Sequence, residues 1–315
     1  MAWKQNIIED FKQLVSFDSI SFHERKTADW LIERLQKMGF SVEEDDAGSH
    51  YGGDTGNLYA VLDGTLPGDP VIFCAHMDVV EPRSGKKSVL EKDGTIHSAG
   101  DTVLGADDIS GILEILYGVQ LVIDSGKPHK KIELLFTIGE ELYVKGSDVF
   151  DYSKVTAKQA YVLDLSEETT FNIGTIQGGT ATNIVPDCCV LTGEIRSYDH
   201  GKALETVRMT ERIFTEEAQK INATAEVTSQ IHLIAYETSL ESKSVTDFQK
   251  ACEILGFSGE LTGTFGGSDN NSFAKNGIEG LVLSNGMYNA HSTREYTTVD
   301  DLYKGAELIG QLILL

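Results

Sequence analysis

Residues 71–78 read Val-Ile-Phe-Cys-Ala-His-Met-Asp. An apolar run of this length, with β-branched and aromatic side chains, fits a strand buried on both faces. Such strands belong to parallel sheets covered by helices, and those sheets hold their ligand sites in loops beyond the strand carboxyl ends. Here the loop begins with a histidine and an aspartate. The arrangement recurs twice: Ile132–Thr137 runs into Gly139-Glu140-Glu141, and Ala160–Leu163 runs into Asp164. Three apolar strands ending in groups that bind metals are the strongest local signal in the chain.

Around these strands the pattern alternates. Ile7, Ile8, Phe11 and Leu14 recur at helical spacing, as do Ala28, Leu31, Leu35 and Met38, with Gly39 as a stop. Strands are predicted at Ser41–Glu44 and Asn57–Leu62, and a helix at Ile109–Val122. Later come a helix at Ser244–Leu255, a strand at Gly280–Leu283 and a helix at Thr298–Leu315. This order predicts an α/β fold, a mostly parallel central sheet flanked by helices. The middle reads differently: strands at Phe171–Ile176, Cys189–Ile195 and Thr224–His232 and a helix at Ala203–Lys220 make a compact α+β block. We therefore expect a discontinuous main domain, residues 1–165 and 237–315, interrupted by a small domain at 166–236.

The bulk composition sets limits. The chain has 315 residues, 41% hydrophobic and 24% charged, as in ordinary globular proteins. Its formal net charge of −23 repels phosphate backbones and anionic lipid, so neither nucleic acid nor membrane is expected as a partner. No stretch reaches the roughly 20 apolar residues of a membrane span. Cys74, Cys188, Cys189 and Cys252 form no C-x-x-C pair and read as reduced thiols. The N-terminus has acidic residues and lacks a long apolar run, unlike a signal peptide. The expected location is the cytoplasm.

The candidate chemistry rests on His76, Asp107, Glu141, Asp164 and His291, with Glu140 left over. Zinc takes imidazole nitrogen and carboxylate oxygen, and two zincs sharing a carboxylate can bind substrate and activate water together. Each residue also has a plainer reading. His76-x-Asp78 can be a core histidine held by a carboxylate. In Gly105-Ala106-Asp107-Asp108, one aspartate can cap the following helix while the other binds metal. Glu140-Glu141 can be a solvated acidic turn, or a pair whose repulsion cations relieve.

In order along the chain, CAHMDVV (74–80), LGADDISG (104–111), FTIGEELYVKGS (136–147), YVLD (161–164), GGTATNIVPD (178–187), GEIRS (193–197), FGGSDNNSF (265–273) and NAHSTREY (289–296) resemble one family. It is the dinuclear zinc peptidases, which include peptidase T, carnosinase-type dipeptidases, aminoacylase and the glutamate-releasing carboxypeptidases. The nearest likeness is to peptidase T. The resemblance covers nearly the whole chain and implies roles. His76 and Asp164 would hold one zinc, Glu141 and His291 the other, and Asp107 would bridge them, with a cis Asp107–Asp108 peptide. Co²⁺ or Mn²⁺ would be possible substitutes. Asp78 would orient His76, and Glu140 would be the general base. Asn183, Arg196, Gly267 and Asn270 resemble the parts that hold substrate. Arginine suits a terminal carboxylate because its fork binds in two places, although Arg196 also reads as a surface ion pair.

Two departures stand out. Where the family commonly has lysine two positions after the bridging aspartate, this chain has Ile109. The inserted domain is also short: the chain passes from Asp164 through Ser166–Thr170 without the family's histidine-containing segment and first helix. The implied function is an aminopeptidase on tripeptides or dipeptides. A deacylase or amidase on N-acyl amino acids or modified peptides, and a non-catalytic metal-binding relic, stay open. A homodimer is expected, since a lid lacking a strand leaves an edge that can pair.

Overall fold

The computed structural model describes residues 2–164, 171–264 and 266–315. In chain order it begins with helices α1 (Ala2–Val15) and α2 (Arg25–Lys37), then strands β1 (Ser41–Glu44), β2 (Leu58–Leu62), β3 (Val71–His76), β4 (Ser88–Leu90) and β5 (Thr95–Ser98). Helix α3 (Ala106–Ser125), strand β6 (Ile132–Thr137), the short α4 (Lys145–Val149) and strand β7 (Gln159–Leu163) follow. Then come β8 (Phe171–Gly178), β9 (Cys189–Ile195), α5 (His200–Lys220), α6 (Lys243–Leu255), α7 (Asn270–Lys275), β10 (Glu279–Leu283), β11 (Tyr296–Thr298) and α8 (Val299–Ile313).

The chain divides into two compact units. The larger comprises Met1–Leu165, Thr238–Leu261 and Gly267–Leu315; the smaller comprises Ser166–Glu237 and Thr262–Gly266. The junction at 165–170, where the sequence departs from the family pattern, lies outside the described residues.

The larger unit is built on a six-stranded sheet in the order β1-β2-β6-β3-β7-β10. Strands β6, β3, β7 and β10 run parallel, while β2 pairs antiparallel with β6 and β1 with β2. This is the α/β architecture that the apolar strands imply. Strand β3 lies between β6 and β7, and both its faces are covered. Phe73 and Ala75 join Leu134, Phe136, Tyr161 and the apolar faces of α1, α3 and α8 in one core. Ile72 and Cys74 point the other way, into a second core with Leu135, Val162, Phe150 and Phe273. Helix α3 is apolar on most sides because it is buried along most of its length. A separate three-stranded sheet, β11-β5-β4, was not evident in the sequence.

The smaller unit has the antiparallel pair β8–β9 and helix α5. No residue of α5 is buried. Thr224–His232, expected as a strand, has no regular structure. Its alternating residues resemble a strand, but a strand exists only where another chain segment supplies backbone partners. The described sheet of this unit stops at two strands. Among the described residues, no helix of either unit is long and apolar enough to cross a membrane.

Candidate metal centre

The parallel register aligns the chemistry. His76 closes β3 opposite Thr137, the last residue of β6, while Leu163, the last residue of β7, precedes Asp164. The loops after these strands therefore converge at one end of the sheet. The start of α3 and the segment before β11 complete the site with Asp107 and His291.

Asp107 lies between the two histidines. One of its oxygens is 3.1 Å from His76 Nε2, and the other is 3.3 Å from His291 Nε2. His291 Nε2 is also 3.1 Å from Glu141 Oε2. Potential ligand atoms of His76, Asp107 and Glu141 all lie within 4.8 Å of one another, as do those of His76, Glu140 and Asp164. Ligands bound to one tetrahedral zinc at ordinary bond lengths sit about 3.3 Å apart, so these spacings fit donors facing shared small cations. The charge balance agrees. Two imidazoles face five carboxylates (Asp107, Asp164, Glu140, Glu141 and the fully buried Asp78), an excess of negative charge that calls for cations or protons.

Burial pushes the Glu140 carboxyl well above the usual carboxylate range; Asp164, Asp269 and Glu141 add to this, against His76. For Asp107, burial also raises proton affinity, but hydrogen bonds to His291 and His76 outweigh it and hold the carboxyl well below its ordinary value. Hydrogen bonds to Asp107 and Glu141 lift His291 to about 11.

Residues 72–315 match the family described as Peptidase family M20/M25/M40. The chain belongs to that family. Uncharacterized protein YqjE of Bacillus subtilis is 29% identical over 99% of this chain and 99% of its own length. That alignment runs over 367 residues, more than the 315 of this chain, so the relative has residues with no counterpart here. Aminopeptidase PepT from Bacillus cereus superposes with a TM-score of 0.88 at 29% identity, covering 98% of each chain. A tripeptidase from Staphylococcus aureus gives 0.93 at 26% identity, covering 98% of this chain and 97% of its own. Sequences named peptidase T also match over 99% of the chain. Within the M20 family this protein is a peptidase T-like, metal-dependent peptidase.

The surrounding contacts show how the candidate ligands are held. The Asp107–Asp108 peptide is cis. The two aspartates divide their labour: Asp107 faces the histidines, while Asp108 accepts from the backbone N–H groups of Gly111 (3.1 Å) and His76 (3.1 Å) and from Asn285 Nδ2 (2.6 Å). Gly111 must be small, because a Cβ there would meet Asp108 Oδ1 at 2.3 Å and Leu163 Cβ at 2.8 Å. His76 Nδ1 lies 3.0 Å from the carbonyl oxygen of Asp78 and 3.4 Å from its carboxylate. That carboxylate also accepts from the backbone N–H groups of Glu140 (3.0 Å) and Glu141 (3.2 Å) and from Ser21 Oγ (2.7 Å). Asp78 thus holds the Glu140–Glu141 turn as well as His76.

Two further carboxylates were missed in the sequence. Glu24, fully buried, accepts from the N–H groups of Phe22 (2.8 Å) and Gly139 (3.0 Å). Gly139 needs its freedom: its φ is +58°, and a Cβ would meet the Phe22 ring at 2.5 Å. Glu295 accepts from the backbone of Leu104, Gly105 and Asp107. Apart from the neighbouring Phe22, the backbone donors to both are distant in sequence and leave no local spacing to read.

The expected substrate residues belong to both units. Asn270 is fully buried, with its side-chain oxygen against Gly280 of β10, and Gly267 is half-buried ahead of α7. Asn183 is exposed in a turn of the smaller unit. Arg196, also there, puts its fork on Glu194, at 2.8 and 3.2 Å.

Proposed function

We propose that this M20 peptidase is a dinuclear zinc aminopeptidase of the cytoplasm that removes the N-terminal residue from tripeptides or dipeptides. The observation that carries this reading is the placing of Asp107 between two imidazoles, beside two ligand groups that share His76: one with Asp107 and Glu141, the other with Glu140 and Asp164. His76 and Asp164 would hold one ion, His291 and Glu141 the other, and Asp107 would bridge. Nitrogen and carboxylate oxygen suit zinc, and also Co²⁺ or Mn²⁺. Bound there, the ions supply Lewis acidity and make a water acidic enough to attack at neutral pH. Glu140 takes the proton from the attacking water on its carboxylate and delivers it to the departing amine as the C–N bond breaks. Its buried position, next to the His76–Asp164 ligand group, supports that task. Asp78 fixes His76 and keeps the backbone of Glu140 and Glu141 in place.

Tripeptide cleavage is supported by likeness to a tripeptidase and to an aminopeptidase, both over nearly the full chain. The same centre would also serve a deacylase on N-acyl amino acids, which carry the terminal carboxylate of a peptide and lack only its free amine, so the pairing of Arg196 with Glu194 bears equally on both readings. The test is a panel of dipeptides, tripeptides and N-acyl amino acids given to the zinc- or cobalt-loaded protein. Release of N-terminal residues supports the aminopeptidase. Cleavage of the N-acyl compounds alone supports the deacylase, and no cleavage of any compound counts against both.

A further inference from the structure

The loop between Tyr288 and Tyr296 carries two functional side chains. It is closed at its base by paired backbone hydrogen bonds between these tyrosines, each 3.0 Å, and by their rings, stacked 4.7 Å apart. His291 has a φ of +59° and presents its imidazole to Asp107 and Glu141. Four positions on, Glu295 is only 2% exposed. One of its oxygens accepts from Leu104 N–H (2.7 Å) and Gly105 N–H (2.8 Å), and the other from Asp107 N–H (3.0 Å). Three short hydrogen bonds converge on one buried carboxylate, and each is charge-assisted.

We propose that Glu295 is a positioning residue of the metal centre. It ties the loop that bears His291 to the turn that bears Asp107, and so fixes the distance between a terminal ligand and the bridging ligand. This rests on the reading of these residues as metal ligands. A hydrogen bond to the backbone amide of Asp107 sets the backbone from which its carboxylate projects. Groups that orient ligands in this way set metal affinity without touching the ion. The turn is shaped to receive Glu295: Gly105 has a φ of +80°, and a Cβ there would meet the buried Lys86 Nζ at 2.8 Å and Val79 at 3.2 Å. Burial pulls the nearby Lys86 ammonium down to about 8, and the charge of Glu295 works against that fall.

The test is zinc affinity, measured at fixed pH by competition with a chromophoric chelator, for the wild type, Glu295→Gln and Glu295→Asp. Glutamine keeps the size but turns an NH₂ toward backbone donors. Aspartate keeps the charge but is one methylene too short to span the gap. The melting temperature of each protein is recorded with and without zinc. Glu295→Gln is expected to bind zinc about 10- to 100-fold more weakly. The rise in melting temperature that zinc brings should shrink with it, and Glu295→Asp should fall between. A residue that only stabilises the fold would lower both melting temperatures equally and leave affinity unchanged. That result in whichever variant folds would overturn the proposal. Wild-type protein without zinc affinity would overturn the metal centre and this inference together. Wild-type protein that binds zinc but cleaves no peptide would break only the aminopeptidase reading.

Discussion

The two units differ in how they hold their polar groups. In the larger, every expected metal ligand except His291 is largely buried, and the acidic residues behind the ligands accept hydrogen bonds from named backbone amides. In the smaller, no residue of helix α5 is fully buried, and two of the four expected substrate residues, Asn183 and Arg196, are exposed. A buried carboxylate with fixed donors has one geometry, whereas an exposed arginine on a neighbouring glutamate exchanges partners at little cost. The candidate metal ligands therefore sit in fixed surroundings within the larger unit, whereas Asn183 and Arg196 of the smaller can change partners.

The sharpest way to break this contrast is Glu140→Ala. Loss of a general base should cut turnover about a hundred- to ten-thousand-fold, while the ion content by elemental analysis stays at the wild-type level. Unchanged turnover would sink the assignment. Removing the ions with EDTA comes next. At a free zinc concentration a thousand times Kd, binding stabilises the folded state by about 4 kcal/mol, so chelation should lower the melting temperature by several degrees. A calorimetric trace that ignores EDTA would contradict a metal centre in the well-packed unit.

A pH effect should follow. Burial, with the charge of Asp78, raises Glu24 from 4.5 to about 8. The folded state then holds a proton that the unfolded state has released, so stability falls as pH rises from about 4.5 to about 8. Glu24→Gln, which mimics the protonated acid, should remove that decline. Urea titrations of both proteins at pH 5.5 and pH 9 read the difference, and parallel loss in the two would show that Glu24 is not its source. The smallest effect belongs to Arg196→Ala. An exposed ion pair contributes about 0 to 1 kcal/mol, so the unfolding midpoint should hardly move, while KM rises if Arg196 grips substrate. A large loss of stability in this variant would erase the contrast between the units.

The legible parts of the sequence share a cause. Strands β3, β6 and β7 are apolar runs that end abruptly in ionisable residues, so fold and ligands were marked together. The readings of Asp107 and Asp108 as ligand and cap were both available from Gly105-Ala106-Asp107-Asp108; in the structure Asp108 accepts from the Gly111 amide, and Asp107 faces the two histidines. What could not be read depends on distant partners. Strands β4, β5 and β11 are too short for a periodic pattern, and Thr224–His232 has the pattern but forms no strand with the described residues. Glu24 and Glu295 look like ordinary acidic residues until the fold brings amides from Gly139 and Asp107 to them.

The clamp made by Glu295 also has a consequence for biosynthesis. Its contacts span sequence separations of 188 to 191 residues, and His291 lies in the same late segment. A nascent chain that has passed Asp164 already carries His76, Asp107, Glu140 and Glu141, yet it lacks His291 and the carboxylate that holds the Asp107 amide. On the proposed reading, the centre is complete only after the segment that bears His291 and Glu295 has been made.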